Sequence, residues 1–328
     1  HIITLGSIAL IAGICIMAVV LVTPGTDQKS SGDGSFSDLQ VSTSGEVLGG
    51  QSASTIVLDT LMTKGPDRVT VFRTQPPVVS KADAVELAKK FGVTDINEPK
   101  EGDAVISVTS RDMRYYIMLY KNGGRLYEDQ ERVDTPNGID ITENLPSDEE
   151  AVRIATAFLK ERDLLPEDAV FRKSKHNMAY RSNRSGGGPT VVYEKITLGF
   201  SRELNGLNVE GTQFMVDVGG HGDIISYFVN WKEYEPMGEY PIKSGEAAFS
   251  ELKQRGMNVG TGPESPDKIS IDQAYLAYYT KALAYPEDYL EPVWVFKGTA
   301  SANGKTIAPV TEYIPALTDE AVKSLSSS

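Results

Sequence analysis

Cysteine is almost missing from this chain. Cys15 is the only one in 328 residues, and it sits inside an apolar run. That excludes a disulfide framework, a thiolate zinc site and a catalytic thiol from the rest of the sequence. Histidine is scarce too: His1, His176 and His221 are all there are. No two of them stand at metal-ligand spacing, and no H-E-x-x-H pattern occurs. The nucleophile elbow G-x-S-x-G, the Walker loop and the dinucleotide fingerprint are also missing. The glycine runs Gly186-Gly187-Gly188 and Gly219-Gly220 do not lead from a strand into a helix start, which speaks against a phosphate cradle. Basic charge is in short supply: 32 Lys and Arg face 45 Asp and Glu, for a formal net charge of −13. Such a balance disfavours nucleic acid and anionic lipid surfaces as partners. The sequence identifies no cofactor, no small-molecule substrate and no catalytic residue, so a non-enzymatic protein is the expectation.

What is present begins at once. Between Ile2 and Val22 there is no charged side chain, and the first charge of either sign is Asp27. A helix rising about 1.5 Å per residue would carry this segment across roughly 30 Å, the thickness of a bilayer core. The residues singled out along this candidate helix are Ile2, Ile3, Leu5, Ile8, Ala9, Leu10, Ile11, Gly13, Ile14, Ile16, Met17, Val19, Val20, Leu21 and Val22. No basic region precedes them, and residue 1 is His rather than Met. An ordinary signal peptide keeps its positive residues ahead of the apolar stretch. Three readings stay open: a retained segment whose charged leader is removed, a signal anchor whose first residues precede His1, and a tag remnant at His1. Ala9 and Gly13, four apart, would let like helices approach closely.

Pro24-Gly25 ends this segment, and a Ser-, Gly- and Thr-rich linker follows. The expected organisation is an apolar helix over 1–24, a linker over 25–66, a first α+β module over 67–145, a second over 146–235, and a third with the C-terminal tail over 236–328. Each module contains a serine-capped helix: Ser80, Ser147 and Ser244 precede apolar residues at helical spacing. Strands are expected over Val69–Arg73, Ala104–Thr109, Arg114–Tyr120, Arg125–Tyr127, Val191–Ser201, Thr212–Val218, Ile224–Trp231, Ile269–Tyr279, Tyr289–Phe296 and Ile307–Ile314, with turns at Asn205-Gly206 and Asn303-Gly304. Thr55 to Leu58 is a further short strand that could join the head.

Acidic side chains crowd the stretch from Glu128 to Glu150. Glu128, Asp129, Glu131 and Asp134 are the candidates for a calcium-binding edge, although no EF-hand spacing is present. The plainer reading is a solvated loop that also complements a helix dipole. Tyrosines and tryptophans fall mostly in strand-like stretches, where core packing is the default. Asn183 begins the sequon Asn183-Arg184-Ser185 in a polar loop, a candidate glycosylation site.

Two resemblances follow from these residues. Leu204 to Gly211, then Phe214 to Val218, then Gly222 to Tyr227 resemble the PepSY-like modules of secreted and envelope proteins, across Ser147 to Trp231 with weaker echoes on either side. That resemblance implies a binding or regulatory domain. Ile2 to Val22 resembles the assembly helix of type IV pilin-like subunits. Leu5 stands where many bacterial members carry Glu, which favours the archaeal type. Together they imply an α+β fold class: an N-terminal apolar α-helix followed by repeated helix-plus-antiparallel-sheet modules. The implied function is a structural subunit of an extracellular surface filament that self-associates through its N-terminal helix. Its membrane contact would come before assembly. The alternative is a permanently membrane-anchored binding or regulatory protein with its head outside.

Overall fold

The structure, a computed structural model, describes residues 55–62, 64–133, 144–181, 190–257, 259, 265–283 and 285–326. The apolar segment and residues 25–54 of the expected linker lie outside them, while residues 55–58 at its end form a strand. Among the described residues, no helix is long and apolar enough to cross a membrane.

Serine caps start three of the helices. The Ser80 hydroxyl accepts from the Asp83 amide, and the Asp83 carboxylate accepts from the Ser80 amide, so α1 (Lys81–Lys90) opens on a complete capping box. The Ser147 hydroxyl caps α2 (Asp148–Glu161) by accepting from the Glu150 amide and that of Ser244 caps α3 (Gly245–Arg255) by accepting from the Ala247 amide, each satisfying an N–H that the helix itself cannot. A fourth helix, α4 (Asp319–Ser326), buries Ala321 and Leu325. It was not foreseen.

Among the described residues the strands form a single 14-stranded mixed sheet. In chain order they are β1 (Thr55–Leu58), β2 (Arg68–Gln75), β3 (Lys100–Glu101), β4 (Val105–Thr109), β5 (Tyr115–Tyr120), β6 (Arg125–Asp129) and β7 (Ala169–Arg181). Then come β8 (Thr190–Leu204), β9 (Leu207–Val218), β10 (Ile224–Asn230), β11 (Glu233–Pro241), β12 (Lys268–Tyr279), β13 (Tyr289–Ala302) and β14 (Lys305–Pro315). Tight turns join neighbours where the sequence calls for them. Asn205 and Gly206, with φ of 50° and 76°, link β8 to β9; Asn303 and Gly304, with 51° and 75°, link β13 to β14.

Repeated helix-plus-sheet modules do not form, and that fold-class expectation is corrected here. The sheet is continuous because distant segments pair. β2 hydrogen-bonds to both β11 and β13. β1 runs parallel to β12, with Thr55 opposite Lys268. β9 meets β12 in parallel at Val209 and Glu210. The core is shared in the same way. Ala84, Leu87 and Ala88 of α1 and Ala151, Ala155 and Leu159 of α2 are buried in one cluster with Ile106, Ile117, Leu198 and Phe214. Neither helix owns a sheet of its own. A second cluster gathers Ala248 and Leu252 of α3 with Ile269, Trp294, Phe296 and Ile314. Burial of an aliphatic or aromatic side chain stabilises a fold by about 1.5–3 kcal/mol. Both clusters therefore bind segments far apart in sequence.

Candidate functional site

Two regions of the head hold polar chemistry in a defined geometry. The first is the long hairpin of β7 and β8. Among the described residues β7 pairs with β8 alone, so its outer backbone edge is open over 13 residues. Val170, Phe171 and Met178 are large apolar side chains left 38–41% exposed on it. Phe171 rests edge-on against Phe200, 5.8 Å between ring centres, which roots that end of the strand in the core. Arg172 is held by Glu203, Ser201 and Asn208. Lys173 and Lys175 are exposed and form no ion pair with described residues. Proline interrupts other edges, Pro236 in β11 and Pro309 in β14, but β7 contains none.

On the helix side of this hairpin His176 stands between two carboxylates. Its Nδ1 is 2.5 Å from Glu194 Oε1 on β8, and its Nε2 is 2.7 Å from Asp148 Oδ1 at the start of α2. The Ser174 hydroxyl donates to the other oxygen of Asp148. The Glu194 and Asp148 contacts raise the imidazole pKa, and the Ser174 and His176 bonds lower that of Asp148.

The second region lies where the turn after β12 folds back on β10 and β11. Lys232 Nζ is 2.9 Å from Glu287 Oε2, with the two side chains only 2% and 1% exposed. Glu287 also accepts from Tyr234, Thr280 and the Lys281 amide. Burial lowers the Lys232 pKa, while Glu287 pulls the other way. Lys232 Nζ and Asn230 Nδ2 donate to the Lys281 carbonyl, and Asn122 Nδ2 donates to that of Leu283, 2.6 Å away. Next to this knot, Glu291 is 3% exposed and neither carboxylate oxygen has a hydrogen-bond partner among the described residues. The Lys281 ammonium stands 3.9 Å away. Desolvation pushes the Glu291 pKa up to about 7. Arg202 completes the region: its guanidinium binds Asp168 and lies over the rings of Trp231 and Tyr234. With Lys232 and Glu287 closed to water, this network fastens elements together.

The residues singled out in the sequence are scattered. Ile2 to Val22, Asp134 and Asn183 lie outside the described residues. Of the calcium candidates, Asp129 is 3% exposed and takes Arg114 on both oxygens, at 3.2 and 2.8 Å. Arg114 also reaches Glu131, and Glu128 accepts from Gln130. Arg114 thus holds both Asp129 and Glu131, and no group of metal-holding side chains occurs among the described residues. His221 sits in a 3-10 turn with φ of 61°, as a turn residue. Lys232, Glu287, Glu291 and the His176 cluster were missed. Lys232 is 55 residues from Glu287, and His176 is 18 from Glu194 and 28 from Asp148, and no spacing rule joins them; only Glu287 with Glu291 and Ser174 with His176 are close in sequence.

No family model and no curated protein matches this chain. Among solved structures, it is similar to an uncharacterized protein from Eubacterium rectale ATCC 33656, with TM-score 0.49 and 13% identity over 81% of this chain and 90% of that one. It is also similar to the Bacillus megaterium YpeB C-terminal domain, with TM-score 0.34 and 14% identity over 73% of this chain and 99% of that one. Likeness at this level carries no argument about what the chain does.

Proposed function

We propose that this chain is a non-enzymatic surface protein whose copies associate, anchored by the apolar segment Ile2 to Val22 and paired along the edge strand β7. The observation that carries this reading is the open 13-residue edge with exposed Val170, Phe171 and Met178. An open strand is a template for another chain unless something blocks it. Lysines on such an edge repel like-charged strands and admit acidic ones. β7 carries Arg172, Lys173 and Lys175 and no acidic side chain. β11, which among the described residues pairs only with β2, carries Glu233, Glu235 and Glu239. The two edges are complementary in charge, which supports a second copy of this chain as the partner. Pro236 and the bulge between Pro236 and Gly238 divide β11. The contact therefore rests on side-chain charge and apolar cover more than on a full backbone ladder. A contact between different faces of successive copies propagates when its rotation does not close, which is how a filament grows. The PepSY-like resemblance of Leu204 to Tyr227 and the pilin-like resemblance of Ile2 to Val22 belong to the same proposal.

Charge exchange tests it. Sedimentation of the full chain is compared for wild type, Lys173→Glu with Lys175→Glu, Glu233→Lys with Glu239→Lys, and all four together. The expected outcome is loss of assembled material in each double variant and recovery in the fourfold one. Equal assembly in all four, or a chain that stays monomeric in the membrane throughout, overturns the reading.

A further inference from the structure

The geometry points to a proton-operated clamp between the β7–β8 hairpin and the first turn of α2, closed when His176 is an imidazolium and opened when it loses its proton. This goes beyond the association of copies and does not depend on it.

The argument is one of hydrogen count. A neutral imidazole has one N–H and one lone pair; only the cation donates from both nitrogens. Here both ring nitrogens lie within hydrogen-bond distance of a carboxylate, Glu194 on β8 at 2.5 Å and Asp148 on α2 at 2.7 Å. Carboxylates at neutral pH have no proton to offer. Deprotonation would therefore place a nitrogen lone pair against an oxygen lone pair at one of the two contacts. Asp148 is committed further, since Ser174 on β7 donates to its second oxygen. The clamp thus joins two strands to the helix start through one titrating ring.

Asp148 and Glu194 are the charged groups that act on the ring, from α2 and β8 respectively, and both favour the cation. Lys173 and Lys175 flank His176 along β7 and do not figure among the groups that move its titration. Because the folded-state pKa is raised above 6.5, the clamp contributes stability that is fully present below that value and is lost as pH rises through the folded pKa. The ring is 38% exposed, so protons reach it without opening the fold.

The test uses the full chain in detergent solution. Carbon-13 at the imidazole Cε1 positions reports each histidine's titration, and His176→Gln identifies the His176 signal. Wild-type His176 is expected to titrate above 6.5, and Glu194→Gln to move it back towards that value. Amide protection in the first turn of α2 is expected to fall as pH passes the His176 midpoint in wild type, and to show no such step in His176→Gln. If a variant fails to fold, the wild-type titration and protection curve still decide. A midpoint at or below 6.5, or protection of α2 that ignores the titration, overturns the clamp.

Discussion

The Lys232 ammonium lies 2.9 Å from the Glu287 carboxylate, both withdrawn from water, on segments 55 residues apart. Two buried charges cost several kcal/mol each in lost hydration, and the pair recovers this only through its further hydrogen bonds. Glu287 has them from Tyr234, Thr280 and the Lys281 amide. Removing one partner strands the other. Glu287→Ala is therefore expected to lower stability by about 3–5 kcal/mol. The double change Lys232→Met with Glu287→Leu should cost clearly less than the sum of its single changes. Urea denaturation of wild type, Glu287→Ala, the two single changes and the double change measures both.

Glu291 contributes in the opposite sense. Burial raises its folded pKa from 4.5 to about 7. The folded state then holds the proton more tightly than the unfolded one between those values. Stability is highest below pH 4.5 as far as this group is concerned, declines as pH rises towards 7, and stays reduced above it. Glu291→Gln should remove that slope and make the protein more stable than wild type at pH 8, by on the order of 3 kcal/mol. Unfolding midpoints between pH 5 and 8 check it, and parallel curves for the two proteins would count against it.

Gly211 marks the place where β9 meets β12. Its φ is 78°, and a methyl group there would overlap the Thr280 carbonyl oxygen. The Thr280 amide donates to the Glu210 carbonyl at 2.9 Å just beside it. Gly211→Ala carries both a left-handed backbone penalty and a clash, so a loss of roughly 2–3 kcal/mol is expected. Gly206→Ala, also at positive φ but with nothing within 4 Å, should cost less. Thermal unfolding of the pair separates strain from clash.

Ser147 holds the first turn of α2 through the Glu150 amide. Ser147→Ala leaves that donor without its protein partner and should cost about 1 kcal/mol. Circular dichroism during denaturant unfolding reads it directly.

Local structure was legible in the sequence to the extent that its causes are local. Ser80, Ser147 and Ser244 signal their helices because a cap and its N–H lie three residues apart. The Asn205-Gly206 and Asn303-Gly304 turns are legible because only such residues take positive φ cheaply. The assembly of the sheet was not, since it depends on pairings such as Thr55 with Lys268, which no window of sequence contains. The strand β7 escaped notice because its polar and apolar residues do not alternate cleanly, and its bulge between Phe171 and Lys173 breaks the period. The helix α4 was overlooked although Asp319 and Glu320 in its first turn and Ala321 and Leu325 on one face mark it. Of the candidate site, Lys232, Glu287 and Glu291 carry no local pattern, because burial alone makes them unusual.

The pairing of copies along β7 is tested most directly by cross-linking. In a Cys15→Ser background, one population carries Lys175→Cys and a second carries a cysteine replacement at Glu233, Glu235 or Glu239. The two are mixed, assembled and oxidised. The account predicts disulfide-linked heterodimers between the two populations for at least one β11 position, and few homodimers of the Lys175→Cys protein. Assembled material that yields no such heterodimer at any of the three positions would contradict it.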